Sequence, residues 1–93
     1  MNKRKLIIAR KKIDSLDKEI FKLIKSRTLV VNQMLKIKDH KSQIIDKKRI
    51  NQILRKIKKK SIANNIDPSI TKKIWKSMIW SYVDYQKRNF SKK

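Results

Sequence analysis

Apolar residues recur along residues 6 to 38 at alternating spacings of three and four, with no glycine or proline between them, which predicts one long helix. Written as heptads, the a positions are Leu6, Ile13, Ile20, Arg27 and Met34, and the d positions are Ala9, Leu16, Leu23, Val30 and Ile37. Arg27 alone breaks the apolar seam. A guanidinium keeps its proton, so a seam that takes one in must supply an anion or leave a desolvated charge uncompensated. Something negative is therefore expected beside Arg27. Lys38 follows eleven residues later, about 20° around an ideal helix and roughly 16 Å further along, so both side chains can address one pocket. Arg10, seventeen residues before Arg27, falls about 100° away and roughly 25 Å up the axis, too far to join that pocket within one chain. In an antiparallel pair of these helices, Arg10 of one chain approaches Arg27 and Lys38 of the other. The expectation is a homodimer.

The same reading carries on to the C-terminus. Helix 1 is expected from about residue 5 to 39 and ends in the polar stretch DHKSQ. Asp46 can cap a second helix that carries Ile50, Ile53, Leu54 and Ile57 on one face. Asn64 and Asn65 are candidates for left-handed residues closing it. Asp67-Pro68 supplies an N-cap followed by proline at the first helical position, which starts a third helix. Its stripe is Ile70 or Ile74, then Trp75, Met78, Ile79, Tyr82, Val83, Gln86 and Phe90. Gln86 keeps phase with Trp75, Ile79 and Tyr82, so a polar amide joins an inward face. Pattern alone leaves it either a site residue or a glutamine at the end of the core.

Composition narrows the fold to all-α, because glycine is absent and proline occurs once, whereas sheets and hairpins need turn residues. Ninety-three residues make one domain, 1–93, with about 1–4 and 91–93 expected to fray. An apolar content of 39% is thin beside 28 basic and 7 acidic groups. A seam of about 47 Å also outruns any helix that folds back on it, and dimerisation would bury the remainder. There is no cysteine for a disulfide, a Cys-based metal site or a nucleophile. The segment LIIA is too short for a signal-peptide core, no apolar run approaches a membrane span, and a cytoplasmic protein is expected.

The formal charge of +21 makes nucleic acid the first partner to weigh. The excess is mostly lysine spread over all three helices, with six arginines, whereas base readout favours arginine gathered on one face. No specific nucleic-acid partner is expected. His40, the single histidine, has no second histidine or carboxylate cluster near it in the sequence and is read as exposed. Asp14, Asp17 and Glu19 are read as solvated surface. Lys47, Lys48 and Arg49 oppose the dipole at the start of helix 2, which a bound anion would explain, as would a tolerated basic surface for the two lysines. Arg49, next to the apolar face, is assigned to a site.

Taken together, ARKKIDSLDKEIFKLIKSR, then Lys38, then Asp46 with Arg49, then IDPSITKKIWKSMIWSYVDYQ, resemble the all-helical chorismate mutase family. That fold also includes the isochorismate-pyruvate lyases of salicylate synthesis. The resemblance covers nearly the whole chain. It implies that Arg27 and the partner chain's copy of Arg10 clamp the two substrate carboxylates, and that Lys38 and Gln86 donate to the ether oxygen. Arg49 matches a further active-site arginine, and Asp46 matches the residue that meets the ring hydroxyl. Two positions depart from the usual mutase: Ile50 stands where a Glu is common, and Tyr82 where a Ser is common. Both resemble the lyase branch, while Asp46 resembles the mutase.

The implied reaction is the rearrangement of chorismate to prephenate, for phenylalanine and tyrosine synthesis. One C–O bond breaks as a C–C bond forms, so no nucleophile, metal, cofactor or general base is required. Fixed cations and amide donors hold the dianion compact and stabilise charge on the ether oxygen. Arginine's planar fork suits a carboxylate, and a lysine ammonium suits a single developing charge. The competing expectations are an isochorismate-pyruvate lyase, a basic nucleic-acid binder and a structural coiled coil.

Overall fold

A computed structural model describes residues 2–91. It contains three α-helices, α1 (Lys3–Ile37), α2 (Lys47–Ala63) and α3 (Pro68–Asn89), with a single 3-10 turn, Lys41–Gln43, between the first two. Among the described residues there is no strand, as the lack of turn residues requires. The chain divides into two compact units, Met1–Gln33 and Met34–Lys93.

The first unit is the greater part of α1. The helix begins at Lys3, two residues earlier than the periodicity suggests, because Asn2 caps it: Lys5 N donates to Asn2 Oδ1 at 3.1 Å and Leu6 N to Asn2 O at 3.1 Å. Along it Val31 is buried, whereas Ile13, Leu16, Ile20, Leu23 and Val30 are each between 52% and 69% exposed. The apolar seam of the heptads is thus largely open to solvent in the single chain.

In the second unit α1 ends at Ile37, short of residue 39. Lys38 N still reaches Met34 O at 3.0 Å, but the next two amides turn to a side chain: Asp39 N and His40 N both donate to Gln43 Oε1, at 2.8 and 2.9 Å. Two N–H groups that would have continued the helix are satisfied outside it. Asp46 then caps α2, its Oδ1 accepting from Arg49 N at 3.0 Å. Asn65, at φ 56°, is the left-handed residue that closes α2; Asn64, at φ −106°, is not, and bonds Lys60 O through both its backbone and its side chain. Asp67 and Pro68 open α3 as cap and first residue, with Ser69 N donating to Asp67 Oδ1 at 2.9 Å.

α2 packs on α3. Ile79 and Val83 of α3 and Ile44 of the connecting segment are buried, with Ile53, Leu54 and Ile57 of α2 half-buried. Near the α2–α3 turn, the buried Ser61 hydroxyl lies 2.6 Å from both Ile57 O and Thr71 Oγ1, and Ile66 N closes the turn on Ser61 O at 2.8 Å. A polar pair sits inside this end of the hairpin with its hydrogen bonds made.

Candidate active site

The expected site residues fall in both units. Arg10, exposed, and Arg27, half-buried, belong to the first. Lys38, Asp46, Arg49, Ile50, Tyr82 and Gln86 belong to the second. Within that second unit two of them meet directly: Lys38 Nζ donates to Gln86 Oε1 at 2.8 Å, across 48 residues of sequence.

Each partner arrives there for a local reason. Lys38 is the first residue past α1, and its backbone is fixed between the last helical bond and the turn at Gln43. Gln86 lies on the α3 stripe, one turn beyond Tyr82 and beside the buried Val83, and is itself only 7% exposed. The amide accepts through Oε1, so its Nε2 hydrogens take no part in this bond. The ammonium has given one hydrogen and keeps two.

Burial holds the Lys38 amine below its usual pKa, and the Asp46 carboxylate opposes this by favouring the charged form. Lys38, Ser42, Gln43, Ile45, Asp46 and Lys47 line one concave surface. Asp46 serves two ends at once, as cap of α2 and as the nearby anion for Lys38. Arg49 uses its backbone N–H in that cap while its side chain is exposed. Ile50 is half-buried and donates its N–H to Asp46 O at 2.9 Å. Tyr82 is half-buried and stands edge-on to Tyr85, ring centres 6.4 Å apart.

Gln43 was not among the expected site residues. Its signal was present in HKSQ, a glutamine three residues after the first residue of a turn, the spacing at which a side chain reaches back to a cap N–H. The Ser61–Thr71 pair left no such signal, since ten residues and a turn separate the partners. His40 is exposed. No helix among the described residues is long and apolar enough to cross a membrane.

An all-α chain of three helices that joins a half-buried ammonium to a buried amide presents fixed donors for an anionic oxygen. The family model for chorismate mutase type II matches residues 9–87, and the chain belongs to that family. It is therefore an enzyme of the isomerase class, an intramolecular transferase of the chorismate mutase type, and chorismate is the substrate the family implies. Neither the curated proteins nor the solved structures yield a match to the chain.

Proposed function

We propose that the chain converts chorismate to prephenate in the cytoplasm, on the route to phenylalanine and tyrosine, as an antiparallel homodimer whose residues 1–93 form one catalytic domain per chain. The observation that carries this reading is the Lys38–Gln86 hydrogen bond of 2.8 Å. Breaking the C–O bond leaves negative charge on the ether oxygen. An ammonium that spends one of its three hydrogens on Gln86, and an amide whose Nε2 hydrogens take no part in that bond, are the donors that charge needs. Held in place beforehand and half-screened from water, they require little reorganisation as the charge grows. Asp46 meets the ring hydroxyl. Arg27 and the partner chain's copy of Arg10 bind the two carboxylates, whose planar oxygens match the guanidinium fork, and Arg49 is a further arginine of the site.

The open seam supports the dimer. Twelve large apolar residues of α1, from Ile7 to Ile37, are between 43% and 75% exposed. Completing their burial against a second copy would contribute on the order of 10 kcal/mol before the entropy of association is subtracted. Ile50 and Tyr82, an aliphatic group and a phenol at the expected hydroxyl and ether positions, favour a second reading, the isochorismate-pyruvate lyase.

The test offers purified protein chorismate and isochorismate separately and measures prephenate against salicylate plus pyruvate. A higher specificity constant for isochorismate replaces the mutase reading with the lyase. For the shared site, Arg10→Ala and Arg27→Ala chains are each expected to be nearly inactive, and their co-refolded heterodimer to regain one intact site. Dimers that form normally without regaining activity would refute it.

A further inference from the structure

Gln43 is a neutral, exposed side chain in a three-residue turn, and the proposed chemistry assigns it nothing. Its hydrogen bonds are nevertheless concentrated where Lys38 is rooted. The single oxygen Oε1 accepts from Asp39 N at 2.8 Å and from His40 N at 2.9 Å, while Gln43 N donates back to His40 O at 3.0 Å. These are the amides at which α1 stops. With no glycine to reverse the chain here, one carbonyl oxygen replaces two backbone acceptors and closes residues 39–43 on themselves.

Lys38 precedes this closed turn immediately and is held on its other side by the bond from its own N–H to Met34 O at 3.0 Å. Past the turn, Ile44 is buried and anchors the segment to the core, and Asp46 caps α2. The Lys38 backbone is thereby pinned on both sides. Its four-carbon stem gives the ammonium wide freedom, and a fixed root narrows the positions from which Nζ reaches Gln86 Oε1, 2.8 Å away. Gln43 also lines the concave surface that Lys38 and Asp46 share.

We propose that Gln43 is a positioning residue for Lys38: by accepting from Asp39 N and His40 N it sets where the ammonium stands relative to Gln86. This rests on the reading of Lys38 as a donor to the reacting oxygen. Gln43 touches no reacting atom, and it acts by reducing the conformations from which Lys38 must be recruited.

The experiment compares Gln43→Ala, Gln43→Glu and Lys38→Ala in the full chain with chorismate, alongside amide hydrogen exchange of the wild-type protein. Gln43→Ala should lower kcat roughly tenfold, as a small misplacement of a catalytic group does, with KM changed less than kcat. Gln43→Glu supplies the same acceptor and should restore kcat, whatever its added charge does to KM. A loop that matters only for folding would lower the melting temperature without this rescue. In the wild type, the Asp39 and His40 amides should exchange more slowly than the exposed amide of Lys41; fast exchange at both overturns the proposal even if Gln43→Ala fails to fold. Unchanged kcat in Gln43→Ala beside a large loss in Lys38→Ala overturns the positioning role alone. Unchanged kcat in Lys38→Ala removes the role of Lys38, and the positioning role with it.

Discussion

The two units of the chain differ in how far they enclose their side chains. In the first, residues spaced for a continuous seam stand open: Ile20 is 53% exposed and Leu23 is 69% exposed. In the second, Ile62, Ile70 and Ile74 are likewise more than half exposed, but Ile44, Ile79 and Val83 are at 6% or below and polar groups are enclosed with them. Ser61 and Gln86 are both buried, and among the described residues no buried side-chain nitrogen or oxygen lacks a partner. A stripe left uncovered in one chain is a surface for another. A polar group enclosed with its bonds made has its position fixed, which suits chemistry at a developing charge.

The largest expected effect breaks the contrast from the open side. Ile20→Glu places a charge in the exposed seam. In the proposed dimer it should abolish both association and turnover, while the helical content of α2 and α3 survives. Sedimentation and activity against protein concentration check this together. Ile79→Ala is the control from the closed side, where a core deletion costs about 2–5 kcal/mol of stability. If Ile20→Glu leaves a fully active enzyme of unchanged mass, the seam is not the dimer contact.

Next in size is Lys38→Ala, which on the proposed mechanism removes a donor whose partner charge exists mainly in the transition state. It should lower kcat by about a hundredfold or more and raise KM far less. A change confined to KM would deny Lys38 that role. Gln86→Glu sharpens the point, because a carboxyl donates only while protonated and activity should move toward acid pH. An unchanged pH profile would place Gln86 away from the ether oxygen.

Much of this was legible in the sequence because it follows from periodicity and caps. Three helices, the cap at Asp46 and the Asp67-Pro68 start each rest on local chemistry that a single strand of text displays. The inward phase of Gln86 was equally visible, but not whether the core reached it; Val83 beside it is 4% exposed, and the amide is enclosed with it. The early start of α1 at Lys3 depends on the side-chain bond of Asn2 to Lys5 N, and its stop at Ile37 on Gln43, so both boundaries turned on side chains outside the apolar pattern. The least legible feature was the Ser61–Thr71 pair. Neither residue differs in type from a solvated hydroxyl, and only the packing of α2 on α3 brings them to 2.6 Å.

That pair yields a smaller effect. Ser61→Ala takes from Thr71 Oγ1 its 2.6 Å partner and leaves it the longer bond to Pro68 O, at 3.3 Å. The loss should be about 1–3 kcal/mol of stability, with kcat unaltered in the protein that remains folded. Denaturant unfolding beside a kinetic assay separates the two. A fall in kcat at full folding would couple the far end of the hairpin to the site.

The smallest effect is a shift of pH profile. Burial disfavours the charged form of Lys38 and so holds its pKa below the ordinary 10.5, while the Asp46 carboxylate favours the charged form and partly offsets this. On the proposed mechanism the donor is the ammonium, so activity should be lost as pH rises through the Lys38 pKa. Asp46→Asn removes the favourable charge and leaves burial unopposed, so the pKa should fall further and the alkaline limb of kcat/KM should move toward neutrality. Lys47, on the same concave surface, is unchanged and cannot account for the difference. Asparagine caps a helix about as well as aspartate, so α2 keeps its start and the shift reports charge, not unfolding. The same sign applies to stability: an ammonium that the fold disfavours costs stability below its folded pKa, and the cost fades as pH rises toward the unfolded value. Asp46→Asn should therefore be less stable than wild type near neutrality and converge on it at high pH. An alkaline limb that stays in place, or moves to higher pH, would mean that Asp46 does not act on Lys38.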